Sequence, residues 1–275
     1  MEQTLERAPA VAGRFYPATA AALREELERL FAEAAGAPPA RRRAIAAVVP
    51  HAGYMYSGGV AARVFARLEL PLRVVILAPN HTGLGPPLSA WPGGRWRTPL
   101  GAVEIDEELL AAVCAACPEL VREREAHRYE HAAEVEVPFL QRLRPEVRIA
   151  PIVVGTQREA VLRALGEGLA EAVRALGGEV LLLASTDLNH YEDQAATLRK
   201  DELALEPLLA LEPERLLEVC RRERISMCGL APTAATLFAA RALGARRAEL
   251  IDHRTSGEVS GDYERVVGYA GVLID

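Results

Sequence analysis

Four side chains able to hold a metal ion or move a proton stand beside apolar runs of this chain. His51 closes AIAAVVPH, His81 closes RVVILAPNH, and His190 closes VLLLASTDLNH. Cys228 lies in ISMCGLAPT, just ahead of a helical pattern. Imidazole and thiolate are the side chains that bind transition metals best. Open α/β folds build their sites at the carboxyl ends of parallel strands, where groups distant in sequence meet. One histidine in such a place is more often a hydrogen-bonded structural residue. Three at comparable strand ends make a shared ion an equally good account.

Further residues extend the pattern. Asp187 and His190 offer a carboxylate and an imidazole three residues apart, either as a general base with its orienting partner or as metal ligands. Cys228 precedes a helix, whose exposed N–H groups lower a thiol pKa, so it reads as a ligand or nucleophile; a buried, inert thiol is the alternative. Pro50-His51-Ala52-Gly53-Tyr54 marks a strand-to-helix turn followed by Ser57-Gly58-Gly59, small residues that permit close backbone approach. His127 and His131 have helical spacing, but no H-E-x-x-H is present, which excludes a zincin. Glu130-His131 reads as a helix start with Glu134 one turn on, His131 near a pocket and His127 on the surface. His253 reads as structural.

Helical and strand patterns alternate, predicting an α/β fold, a mostly parallel sheet covered on both faces. A helix begins after Thr19 with Leu23, Leu27, Leu30 and Phe31 on one face and Gly36 as its stop. Strands are predicted at 44–49, 73–78, 147–154 and 179–184, and two more close the chain. A helix follows Gly59, another follows Asp106 as its cap, and others are predicted at 131–143 and 158–176, on either side of Pro213 and after Cys228. Trp91-Pro-Gly-Gly-Arg-Trp96 reads as a hairpin tip, its indoles covering the core or lining a pocket mouth. No composition break divides residues 1–275, which predicts one domain.

Composition narrows the function classes. A formal charge of −6 and no basic aromatic stripe argue against nucleic acid. No run reaches the roughly 18 apolar residues of a membrane span, and MEQTLERAPAVAG lacks the basic and apolar parts of a signal peptide. A cytoplasmic protein without a disulfide framework is the expectation. Cys114 and Cys117 lack the second close pair of a zinc ribbon and, like Cys220, read as structural helix residues. No P-loop motif is present.

Arg14-Phe15-Tyr16-Pro17, PHAGYMYSGG, APNH, TPLG, EHAAEVEVPFLQ, STDLNH, MCGLAP and SGEVSGDYERVVGYAG run in order through nearly the whole chain. Together they resemble the Memo-like family (the AmmeMemoRadiSam system protein B type), which is similar in fold to the class III extradiol, non-haem iron dioxygenases. The resemblance implies a three-layer α/β sandwich of that dioxygenase-like kind. It places metal ligands at His51, His81 and Cys228, and an acid–base histidine at His190, with Asp187 beside it. Tyr54, Asn80, Glu130 and His131 are expected to shape the substrate pocket. Where the family has EHS this chain has EHA, Ala132 replacing the serine. The implied function is a metal-dependent oxidoreductase of dioxygenase-like type using Fe(II) on a small, aromatic substrate. Cys228 in place of the usual carboxylate also suits copper or zinc. The alternatives are a non-catalytic copper- or iron-binding or protein-interaction module, and a metallohydrolase. A radical-SAM protein and a small companion are the pathway partners the resemblance implies.

Overall fold

The computed structural model describes residues 5–34 and 41–275. After β1 (Glu6–Arg7), helix α1 (Ala20–Ala34) begins where Thr19 Oγ1 accepts from Ala22 N–H at 3.4 Å. It buries Leu23, Leu27 and Leu30; the expected stop at Gly36 lies outside the described residues. Next come β2 (Ala46–Val49), α2 (Tyr54–Phe65) and β3 (Arg73–Pro79). They are followed by β4 (Leu88–Ala90), β5 (Arg95–Thr98) and β6 (Gly101–Ile105). Asp106 caps α3 (Glu107–Ala116), its Oδ1 accepting from Leu109 N–H at 2.9 Å. Then come β7 (Val121–Arg122), α4 (Val137–Leu143), β8 (Arg148–Val154), α5 (Glu159–Ala175) and β9 (Val180–Ser185). The chain ends with β10 (His190–Glu192), α6 (Gln194–Leu209), α7 (Pro213–Arg222), α8 (Leu230–Ala242), β11 (Ala248–Thr255), α9 (Gly257–Ser260) and β12 (Val266–Ile274).

Strands β6, β8, β3, β9 and β2 lie side by side and parallel, and β12 closes antiparallel on β2. The fold is therefore mixed α/β with a large, mostly parallel sheet. Helix α2 carries the chain from β2 across β9 to β3, whereas α5 carries it the opposite way, from β8 across β3 to β9. Parallel crossovers are right-handed, so the two helices fall on opposite faces. Helix α8 packs beside α5 and lies on β9 and β3; α2 lies on β2, β11 and β12. Alanine-rich α8 and the Ser57-Gly58-Gly59 part of α2 can approach their neighbours closely because their side chains are small. Among the described residues no helix is long and apolar enough to cross a membrane.

Three local expectations change. Helix α2 starts at Tyr54, ahead of Gly59, because α1 packs against it: a Cβ on Gly58 would meet Leu30 Cδ1 at 2.9 Å. The Trp91–Trp96 segment is not a hairpin tip. β4 pairs with β8, β5 pairs with β6, and the reversal is at Pro99-Leu100. Both indoles are buried, 6.0 Å apart edge to face. The helix expected from His131 starts only at Val137. Residues 132–136 are turns, where Glu130 and Glu134 take up nearby N–H groups with their carboxylates.

Gly166 of α5 faces α8, where an added Cβ would lie 2.5 Å from Phe238 Cβ and 2.8 Å from the Ala235 carbonyl oxygen. Gly166→Ala gains about 1 kcal/mol of helix propensity, but overpacking against fixed backbone costs about 1–3 kcal/mol. Urea denaturation should therefore show a less stable protein, against the helix-propensity trend.

Candidate metal centre

The parallel pairing of β2 with β9 and β9 with β3 aligns their carboxyl ends. His51 lies two residues past Val49, His81 two past Pro79 and Asp187 two past Ser185, so all three emerge on one edge. Cys228 comes from the loop between α7 and α8. That loop presses on the end of β9, where a Cβ on Gly229 would collide with the Ser185 carbonyl oxygen and the Thr186 side chain. Thr186 Oγ1 accepts from Gly229 N–H at 2.9 Å, and Cys228 Sγ accepts from Asp187 N–H at 3.2 Å.

His51 Nε2 is 3.3 Å from Cys228 Sγ. One ligand atom from each of His51, His81 and Cys228 lies within 4.8 Å of the others, and the same holds for His81–Glu130–His131 and Asp187–His190–Cys228. The imidazoles of His81 and His131 stack at 4.7 Å, with His51 edge-on to both. A cavity of about 670 Å³ opens over the group. All of these side chains except Glu130 line it, together with Phe15, Tyr191, Ser226, Val267 and Tyr269.

Surrounding groups hold each candidate ligand in place. Glu130 is buried and accepts from His81 N–H at 2.7 Å and from His81 Nδ1 at 2.9 Å. This fixes the His81 proton on Nδ1 and leaves Nε2 free. Asp187 Oδ1 accepts from His51 N–H at 2.9 Å, and His51 Nδ1 lies 2.8 Å from Ser185 Oγ. His190 is set by Ser226, whose Oγ accepts from its N–H at 2.8 Å and whose carbonyl is 3.0 Å from Nδ1.

A family model described as Memo-like protein matches residues 7–273. The chain belongs to this family. It is 44% identical over 279 residues to a MEMO1 family protein of Ignicoccus hospitalis, with 98% of each chain covered. A MEMO1 family protein of Thermotoga maritima is 41% identical over 281 residues, covering 98% of this chain and 100% of that one. Among solved structures the chain is similar to an uncharacterized protein of Escherichia coli K12, at TM-score 0.50 and 12% identity over 84% of this chain and 100% of the other. That likeness is one of fold alone.

In this Memo-like chain burial and the His81–Glu130 pair together set the protonation states. Burial, with His81 adding to it, pushes His51 down to about 3; burial, then His51, takes His131 down to about 4. Burial raises the Glu130 carboxyl, but the hydrogen bond and charge of His81 outweigh it and hold Glu130 at about 2. His81 is raised in turn: its burial works against protonation and Glu130 prevails. The Cys228 thiol is pushed up by burial and by Asp187. This reverses the expectation of a thiol activated by its helix, because desolvation and an adjacent carboxylate outweigh the N–H groups around it.

Other expectations divide. His131 lines the cavity and Glu130 orients His81, but Tyr54 and Asn80 do not line it. Tyr54 is buried and donates its hydroxyl to the Val135 carbonyl at 2.8 Å. Asn80 Oδ1 accepts from Gly83 N–H at 2.8 Å and so shapes its own turn. His127 is fully buried, not on the surface, because Trp91 and Trp96 close over its ring at 5.8 and 6.1 Å. Glu134 does not share a face with Glu130; it accepts from Arg7 Nη1 at 2.6 Å, Tyr16 hydroxyl at 2.6 Å, and the Ala10 and Val11 N–H groups. That clamp fixes the segment carrying Phe15. His253 is structural, 2.8 Å from buried Asp201. Tyr191, unforeseen, adopts φ 61° beside His190, with the Arg265 guanidinium 5.6 Å from its ring centroid. Left-handed backbone at a bulky residue is uncommon and clusters at functional sites.

Glu134→Gln leaves the Arg7 charge buried without its partner, and such a loss costs about 3–5 kcal/mol; chemical denaturation should read a drop of that size. Burial, then Arg7, lowers His127 to about 3, so the folded state resists its protonation. Its contribution to stability is complete above the unfolded value of about 6.5. It declines as pH falls from there toward the folded value. His127→Gln, which keeps an N–H for the Ser89 carbonyl, should flatten the acid limb of a Tm-versus-pH curve between those limits.

Proposed function

We propose that this protein is a metal-dependent oxidoreductase of the non-haem iron type, acting on a small aromatic molecule. The observation that carries this reading is the convergence of His51, His81 and Cys228 at an open cavity. The donor set suits a transition-metal ion. Both histidines are hydrogen-bonded at Nδ1 and present Nε2, and ligands of one ion stand about 3–4 Å apart given metal–ligand lengths near 2.0–2.3 Å. A bound iron(II) would supply Lewis acidity and redox chemistry.

The chain's own residues do the rest. Phe15, Tyr191 and Tyr269 offer flat apolar surface to a planar ring, and Tyr191 also brings the nearby Arg265 cation to that side of the cavity. His190, held at Nδ1 by the Ser226 carbonyl, presents Nε2 as a proton acceptor or donor toward bound substrate. Asp187 holds the His51 backbone and, through its own N–H, the Cys228 sulfur, so it keeps the ligand loops together. A second reading, a copper(I)- or zinc-holding module without turnover, is favoured by the soft sulfur donor.

Anaerobic titration should give stoichiometric Fe(II) binding that is lost in Cys228→Ala and His51→Ala. Oxygen uptake across a catechol panel should then require the metal and His190. Tight copper(I) binding without turnover selects the second reading, and no metal retention by the wild type overturns both. His51 is neutral and the Cys228 thiol protonated near neutral pH, so binding releases the thiol proton. Affinity should weaken by about tenfold for each unit of falling pH, and more steeply where His81, raised by Glu130, also takes up a proton.

A further inference from the structure

Ser185 Oγ has three polar neighbours. The Ala132 carbonyl oxygen is 2.8 Å away, His51 Nδ1 2.8 Å and Glu136 Oε1 3.1 Å. All four residues are buried, Glu136 and Ser185 completely. A serine hydroxyl has one hydrogen to give and two lone pairs to receive. The Ala132 carbonyl can only accept, so the hydroxyl hydrogen belongs there. The remaining contacts are hydrogen bonds only if His51 Nδ1 and Glu136 Oε1 both carry hydrogens. The opposite arrangement, with Ser185 donating to an ionised Glu136, strips a buried carbonyl of its donor. It also leaves a buried carboxylate whose second oxygen, Oε2, has no partner, and unpaired charge is the costliest group to bury.

We propose that Glu136 is a positioning residue of the metal centre: a neutral carboxylic acid that donates to Ser185 Oγ, locks the hydroxyl onto Ala132 and thereby holds His51 as the Nδ1–H tautomer with its Nε2 lone pair facing Cys228. The assignment rests on the metal-centre reading for its purpose, though not for its hydrogen-bond count. Burial raises the Glu136 carboxyl well above the ordinary range, prevailing over the Ser185 hydrogen bond that works against it, with Asp187 adding to the rise. Glu136 is thus the counterpart of Glu130. One imidazole is oriented directly by a charged carboxylate, the other indirectly by a protonated one acting through a hydroxyl.

Three measurements on the full-length chain test this. In metal-free protein, the wild-type-minus-Glu136→Gln infrared difference spectrum should show the C=O stretch of a protonated carboxyl at neutral pH, and nitrogen-15 NMR should report His51 as Nδ1–H. A carboxylate band, or His51 as Nε2–H, overturns the proposal whether or not metal binds. With Co(II) as probe, Glu136→Met, which fills the space without a donor, should lose affinity by about 10–100-fold, the usual effect of removing an outer partner of a ligand. Glu136→Gln, whose amide N–H can donate to Ser185, should keep it. Equal binding by Glu136→Met overturns the proposal; if that variant does not fold, the two spectroscopic measurements still decide. A wild type that binds no Co(II) while showing both spectroscopic signatures removes the metal reading and leaves the hydrogen-bond assignment standing.

Discussion

The site depends on the parallel pairing of β2, β9 and β3. Neighbouring strands lie about 4.8 Å apart, so three chain exits from adjacent strands come within reach of a single ion. No loop has to travel far to bring its side chain in. His51 and His81 follow their strands by two residues each, and the same offset after β9 delivers Asp187. The fourth contributor crosses over from the helical layer, and the absence of a side chain at Gly229 lets it close on the strand end. The sheet supplies the alignment and the small residue supplies the proximity.

The seven residues from Glu130 to Glu136 hold three buried carboxyls, and each answers the cost of burial differently. Glu130 spends its charge on the His81 side chain and on backbone N–H groups. Glu134 spends its charge on Arg7 and on the N-terminal segment that carries Phe15. Glu136, beside Ser185, forms no salt bridge among the described residues and, as proposed above, keeps its proton. One stretch of irregular backbone therefore organises a ligand, a cavity wall and the far side of another ligand.

The grouping of His51, His81 and Cys228 was legible because the two histidines close strands and the cysteine precedes a helix, and the alternation of patterns was enough to give a mostly parallel α/β sheet. The surroundings were not. Glu134 follows Glu130 at helical spacing, yet the chain there is not helical, so the two carboxylates point to different partners. His127 carries a polar label but is enclosed by indoles contributed some thirty residues earlier in the chain, a contact no local pattern encodes. Tyr54, expected to shape the substrate pocket, instead packs against Phe139 at 4.8 Å and turns inward. The sign of the Cys228 shift depends on desolvation, which is a property of the assembled interior.

The wide separation of the ligands along the chain has a consequence for biosynthesis. A nascent chain emerging from the ribosome exposes both imidazoles while most of the sheet that aligns them, β8 and β9 included, is still unmade. The sulfur follows only 147 residues after His81. A chain made only as far as β9 lacks one of the three donors, so an ion held by all three, as proposed above, would be captured only after Cys228 is made, when α8 docks and β12 inserts beside β2.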